Sequence, residues 1–318
     1  MPPADLVDHK LLFVSGKGGV GKSTVAAALG LLGSQRGKRT LVCEIDAKGN
    51  LADFFEAGET NYEPREIHPN LFAMTMDTEA SLQEYLRLQM RLPAIARIGP
   101  LARAFEFVAT AAPGVREILT VGKPVWEVRE GHYDLVVVDA AATGHIVGQL
   151  AAPQAINELV HVGLIRQQTG WVIDVLSNKE TTGLVVVTTP EEMPVNETIE
   201  LSQRVEDETD VVLSAIVVNR VLPELFGRQE EEVFEELRQP AAVGALREAV
   251  GNPAEPVLEA ARLAVTMRRT RAGHIERLRS SIDPSIPLLY VPYVFMRAHG
   301  FRTTRQVAEA LSAELSYE

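Results

Sequence analysis

The sequence predicts an α/β protein built on a doubly wound, mainly parallel sheet with inserted helical subdomains. Three observations predict it. Short runs of branched apolar residues recur along the chain with helical patterns between them, several of the runs are apolar at consecutive positions, and the first passes directly into a glycine-rich turn that opens a helix. A strand buried on both faces loses the in/out alternation of a surface strand, so consecutive apolar positions indicate the interior of a parallel sheet. Crossovers between parallel strands are right-handed and carry helices to both faces.

The first run is LLFVS (11–15), followed by Gly16-Lys17-Gly18-Gly19-Val20-Gly21-Lys22-Ser23-Thr24 and the helical pattern STVAAALGLLG. The spacing G-x-x-x-x-G-K-[ST] is that of a P-loop NTPase. Its backbone N–H groups converge on phosphate oxygens, the helix N-terminus adds its positive dipole, and Lys22 adds a formal charge. Ser23 is the expected Mg²⁺ ligand beside the terminal phosphates. A glycine-rich turn without a ligand is the plain alternative, and the order strand, loop, helix argues against it. The extra lysine, Lys17, makes the loop the deviant form K-G-G-x-G-K-[ST] of a dimerising ATPase class.

The later runs are RTLVCEI (39–45), LFAMTM (71–76), DLVVVDA (134–140), GLVVVTT (183–189), VLSAIVVN (212–219) and IPLLYVPY (286–293). In such sheets ligands collect beyond the carboxyl ends of the strands, where Gly16 to Thr24, Asp46, Asp139 and Asn219 are expected. Asp46 follows the second run and Asp139 the fourth, each delivering a carboxylate to a strand end. Phosphoryl transfer needs positioning and charge neutralisation more than covalent chemistry. Asp139 is therefore expected to hold Mg²⁺ through water, and Asp46 to orient or activate the attacking water. Capping of the following helix is the structural alternative for each aspartate.

Two spans, about 77–130 and 220–281, are too long for single crossovers and are expected to be helical insertions in one domain covering 1–318. The first carries Leu88, Leu92, Ile95, Leu101 and Phe105, and a further helical stretch, 154–178, adds Leu159 and Trp171. Their periodicity fits helices packed on their own core and equally an exposed groove for an apolar client.

Composition sets further bounds. A chain of 318 residues, 46% hydrophobic and 23% charged, suits one large α/β domain carrying an inserted lobe. A formal charge of −12 argues against a general nucleic-acid-binding surface, and no nucleic acid is expected as a partner. The one dense basic run, MRRTRAGHIERLR (267–279), reads as a solvated helix face. No stretch of 18 apolar residues is present, and MPPADLVDHK lacks the regions of a signal peptide, so the chain is expected in the cytoplasm. The single cysteine, Cys43, cannot form an intrachain disulfide or supply a zinc clasp or a metalloid site. The seven histidines lack metal-type spacing, and no transition-metal site is expected.

Further motifs resemble one family. Asp46-Ala47-Lys48-Gly49-Asn50-Leu51-Ala52-Asp53 is similar to a switch run D-P-A-H-[SN]-L-S-D, keeping both aspartates and replacing Pro and His. Asp139-Ala140-Ala141-Ala142-Thr143-Gly144-His145 is similar to a second switch, D-T-A-P-T-G-H, and AAPGVREIL (111–119) to a P-G-x-x-E element. With TTPEEMPVNETIEL (188–201), VVNRVLP (217–223) and IPLLYVP (286–292), the chain resembles the arsenite-pump and tail-anchored-protein-targeting ATPase family over nearly its whole length. The resemblance implies ATP and Mg²⁺ as ligands. Gly16, Gly18, Gly19, Val20, Gly21, Lys22, Ser23 and Thr24 would surround the phosphates, with Lys22 on the β- and γ-phosphates and Thr24 near the α-phosphate. Asn219 stands at the adenine-contacting position, and Pro292 joins the nucleotide-binding set. The resemblance also implies that Asp46 is the water-orienting base and that Lys17 reaches across a face-to-face dimer to the partner's nucleotide. A homodimer and a heterodimer with a similar ATPase subunit are both compatible with it, as is a protein or membrane-protein client that holds the chain at the membrane periphery. Arsenite transport and a zinc-clasped dimer do not carry over, because their cysteines are missing. Two other functional readings remain open on the residues: a positioning or partition ATPase, against which the acidic C-terminal helix argues, and a weakly hydrolysing regulatory subunit of a paired ATPase.

Overall fold

Strand β1 (Leu11–Gly16) is buried along its whole length, as an uninterrupted apolar run requires, and two parallel neighbours flank it. In this computed structural model the described residues are 6–45, 50–89, 115–159, 164–224, 226–237, 239–251, 254–295 and 300–316. The other strands are β2 (Thr40–Glu44), β3 (Arg65–His68), β4 (Leu71–Thr75), β5 (Leu135–Ala142), β6 (Thr182–Thr188), β7 (Val212–Val221) and β8 (Leu288–Pro292). They form one eight-stranded sheet in the order β3-β4-β2-β5-β1-β6-β7-β8, parallel except for the β3–β4 pair. All seven apolar runs of the sequence are strands of this sheet.

Two apolar layers sandwich the sheet. One face, carrying Leu12, Val14, Val42, Val137 and Val185, packs on helix α1 (Lys22–Gln35). Helix α11 (Phe301–Glu314) covers α1 in turn with Val307, Ala308 and Leu311, so α1 is buried on all sides from Val25 to Ser34. Gly30 lets α1 press onto the sheet, since a Cβ there would stand 2.2 Å from a methyl of Val42. The opposite face, with Phe13, Leu41, Val136, Val138 and Val186, packs on helices α4 (Val115–Arg129), α5 (Thr143–Leu159), α6 (Leu164–Ser177) and α7 (Glu192–Glu208).

Between β4 and β5 lie α3 (Thr78–Gln89) and α4; residues 90–114, with Leu92, Ile95, Leu101, Phe105 and the first part of the P-G-x-x-E element, fall outside the described residues. Between β7 and β8 lie α8 (Arg228–Leu237), α9 (Pro240–Val250) and the 28-residue α10 (Ala254–Ser281), which contains the basic run 267–279 as a largely exposed helix face. No described helix is long and apolar enough to cross a membrane.

Three features differ from the sequence expectation. Strand β3 has no apolar run: its sequence, REIH, lies at the sheet edge with two residues exposed, and only its pairing with β4 makes it a strand. Helix α5 begins at Thr143, eleven residues before the helical stretch read from periodicity. Asp139 does not end its strand, because β5 continues through three alanines to Ala142.

Candidate functional site

The loop from Gly16 to Gly21 joins β1 to α1 at the carboxyl edge of the sheet. Gly16, Gly19 and Gly21 have φ of 151°, 86° and 99°, a backbone that non-glycine residues rarely adopt. At Gly16 a Cβ would stand 2.1 Å from the Val187 carbonyl oxygen on β6, so glycine is required there by contact as well. Gly18 and Gly19 are exposed, and a Cβ on either would meet nothing within 4 Å. The result is a glycine cradle open to solvent at Gly18 and Gly19. Helix α1 starts from Gly21 with no side-chain cap and no acidic residue in its first turn, so its first N–H groups and the positive end of its dipole face this cradle. Lys22 folds back over the loop and donates to the Lys17 carbonyl at 3.4 Å. Ser23 and Thr24 follow it, half-buried, in the same turn.

Neighbouring strands complete the wall. Asp139 is buried and lies in register with Val14 of β1 and Glu44 of β2. Residues two apart on a strand share a face. Asp139 and Glu44 are therefore on the face of Val137 and Val42, the side that α1 covers and on which Ser23 begins the helix. Carboxylates on the sheet face that α1 covers, and a hydroxyl in the first turn of α1, are hard-oxygen groups of the kind that Mg²⁺ takes. Ser15 ties β1 to the second switch by donating to the Ala141 carbonyl at 2.7 Å.

Asn219, buried two residues before the end of β7, reaches the loop from the other side. Its Nδ2 donates to the Val20 carbonyl at 2.8 Å, and a Cβ on Gly21 would stand 2.4 Å from that nitrogen. Pro292 is the exposed last residue of β8, in register with Val221 of β7. Asp46 lies outside the described residues; of its switch run, helix α2 (Asn50–Phe55) is described, with Leu51 buried in the α1 layer.

Two residues of this region escaped the sequence reading. Glu44 is the buried last residue of β2, an acid directly after the apolar Leu41–Cys43 stretch, and that break in the pattern was its signal. Glu197, on α7, makes an ion pair with Lys17 through Oε1 and accepts from the Thr143 hydroxyl at 3.1 Å through Oε2. It stands 180 residues from Lys17, and no local pattern links the two. Cys43 is fully buried in β2, and burial pushes its thiol well above the ordinary range. No cluster of three or more potential metal-ligating side chains occurs among the described residues.

A family profile described as anion-transporting ATPase matches residues 9–172 and 162–239, which includes the loop, both switches and β6 to β7. The chain belongs to the anion-transporting ATPase family. As a member it is an ATP hydrolase of the P-loop NTPase fold. Within the family it is similar to ATPase BagA of Mycobacterium tuberculosis, 32% identical over 232 residues that cover 70% of this chain and 68% of that one. It is also similar to a Halobacterium salinarum protein provisionally named an arsenical pump-driving ATPase, 28% identical over 258 residues covering 74% of this chain and 39% of that one. ATPase get3 of Schizosaccharomyces japonicus is 34% identical over 152 residues, 47% of this chain and 45% of that one.

Proposed function

We propose that the chain is a Mg²⁺-dependent ATPase switch that hydrolyses ATP as a dimer and couples its nucleotide state to a client-binding helical lobe. The observation that carries this reading is the open glycine cradle at Gly18 and Gly19, with Lys22 folded over it and Asp139 on the sheet face that α1 covers. The loop amides and the α1 N-terminus bind the phosphates, Lys22 neutralises the β- and γ-phosphates, and Thr24 contacts the α-phosphate. Ser23 and Asp139 would hold Mg²⁺, which would supply charge neutralisation at the terminal phosphates. Asp46 orients the attacking water. Asn219 holds the loop from the adenine side, with Pro292 at the margin of the nucleotide site. Lys17 completes the site of the other subunit, whether a second copy or a similar ATPase subunit. A cation delivered in trans raises phosphoryl-transfer rates by about 10³- to 10⁵-fold in related machinery.

The transported or handled species is not arsenite in this reading, because the sole thiol is buried in β2 and cannot present itself as a ligand. The chain works in the cytoplasm and reaches a membrane only through a partner. Steady-state hydrolysis across a protein concentration series, with Lys17→Ala and Asp46→Asn beside the wild type, tests the assignment. Specific activity should rise with concentration and fall by at least about 10³-fold in both variants. Activity that is independent of concentration and insensitive to Lys17→Ala would overturn the dimeric mechanism.

A further inference from the structure

Lys17 is the residue assigned to the other subunit, yet here it is held on its own. Its ammonium pairs with one oxygen of Glu197, and the other oxygen of the same carboxylate accepts the Thr143 hydroxyl. Thr143 is the first residue of α5 and directly follows the Asp139–Ala142 stretch of β5. One carboxylate thus bridges the phosphate loop to the start of the second-switch helix. The site is a pre-set one: α7 is anchored to the sheet by buried Val195 and Thr198 on either side of Glu197, so the carboxylate is presented on a rigid element.

We propose that Glu197 is a positioning residue that parks Lys17 on its own subunit before dimerisation, standing in for the partner's nucleotide phosphate as the anion that Lys17 binds. The proposal rests on the trans role of Lys17 given above. Its physical content is a competition. Lys17 cannot satisfy Glu197 and a phosphate across an interface together, so every dimerisation event must first release the lysine. Both side chains are about 30% exposed, at 29% and 30%, which makes the pair a bias and not a lock. Exposed pairs shift an equilibrium by up to about fivefold. A symmetric dimer must open two of them, so the cost compounds to roughly 25-fold in the dimerisation constant. The hydroxyl of Thr143 links the same carboxylate to the second switch, so movement of that switch on nucleotide binding withdraws one of the contacts that hold Glu197 in place.

The test has two readouts on wild type and Glu197→Gln, a substitution of nearly the same shape. In nucleotide-free protein at low concentration, modification of Lys17 by an amine-reactive acyl reagent is followed by mass spectrometry, with exposed Lys179 as the internal reference. Lys17 should react about two- to fivefold faster in Glu197→Gln while Lys179 is unchanged. Equal reactivity would overturn the parked lysine and leave the proposed function untouched. The second readout is the protein concentration at half-maximal ATPase activity, which should fall by about four- to 25-fold in Glu197→Gln. A faster-reacting Lys17 with an unmoved midpoint would overturn the gating role. A merely destabilised α7 would lower the plateau and the melting temperature and leave the midpoint in place. If Lys17→Ala has no effect on hydrolysis in either background, it is the trans assignment of Lys17 that fails.

Discussion

At the scale of single residues, the chain places its chemistry by backbone conformation and burial. Gly16 and Gly21 cannot be replaced without striking Val187 or Asn219, so the glycine-rich loop is also packed against β6 and β7. The sequence spacing singled out Lys22, Ser23 and the glycines, because all lie within nine residues of one another. Asn219 was legible as a polar end to an apolar run, but its hydrogen bond to Val20 was not, since that contact joins strands far apart in the chain. Cys43 makes a test at this scale. Its thiol is buried and held in the neutral form, so native protein should resist iodoacetamide and react only on unfolding. Cys43→Ala should retain hydrolysis, and arsenite should leave the rate of the wild type unchanged. Stimulation by arsenite that disappears in Cys43→Ala would contradict the assignment.

At the scale of elements, α3 and α4 are joined by a charged cluster that no periodicity foretells. Lys123 of α4 pairs with Glu127 one turn on at 2.8 Å and with Glu84 of α3 at 2.9 Å, while the Tyr62 hydroxyl donates to Glu84. Burial works to lower the Lys123 pKa, but hydrogen bonds and charge from Glu127 and Glu84 outweigh it and hold the group above its ordinary 10.5. Burial, with the Glu84 hydrogen bond, likewise holds the Tyr62 hydroxyl above its ordinary 10.0. Both groups keep their proton longer in the folded chain than in the unfolded one. Their contribution to stability is therefore complete below pH 10 and is lost as pH rises through the folded values. Lys123→Met removes the cation from the buried Glu127 carboxylate and leaves it only the His132 ring nitrogen, 2.8 Å from its other oxygen. The variant should lose about 3 to 5 kcal/mol in urea unfolding near neutral pH, with a shallower alkaline decline than the wild type. A loss under about 1 kcal/mol would mean that water already solvates the cluster.

At the scale of the whole molecule, the C-terminal helix is a structural layer over α1, the helix that follows the glycine-rich loop. Val307, Ala308 and Leu311 of α11, with Leu315 beyond it, are buried against α1, and the Thr304 hydroxyl donates to the Phe54 carbonyl of α2 at 3.0 Å. Burying a valine and two leucines contributes roughly 5 to 9 kcal/mol, against a total stability of about 5 to 15 kcal/mol for a domain. Removing residues 300–318 should therefore leave a chain that fails to fold. Far-ultraviolet circular dichroism and sedimentation of the truncated protein decide this, and a soluble chain with a cooperative melt would show that α1 tolerates exposure.

The sequence by itself determined the sheet class, seven of its strands, the glycine-rich turn between β1 and α1 and the family, because each is written in local pattern: consecutive apolar residues, glycine spacing and short motifs. Tertiary structure alone decided what depends on distant pairing. Strand β3 exists because β4 offers an edge to polar residues that have no strand signature of their own. Asp139 is a mid-strand acid because β5 keeps pairing with β1 as far as Ala142. Glu197 meets Lys17 only because strand order sets β6, and the helix that follows it, next to the loop of β1. Local energetics favour an element type, but the partner of a side chain is chosen by the register and order of strands, and those are properties of the assembled sheet.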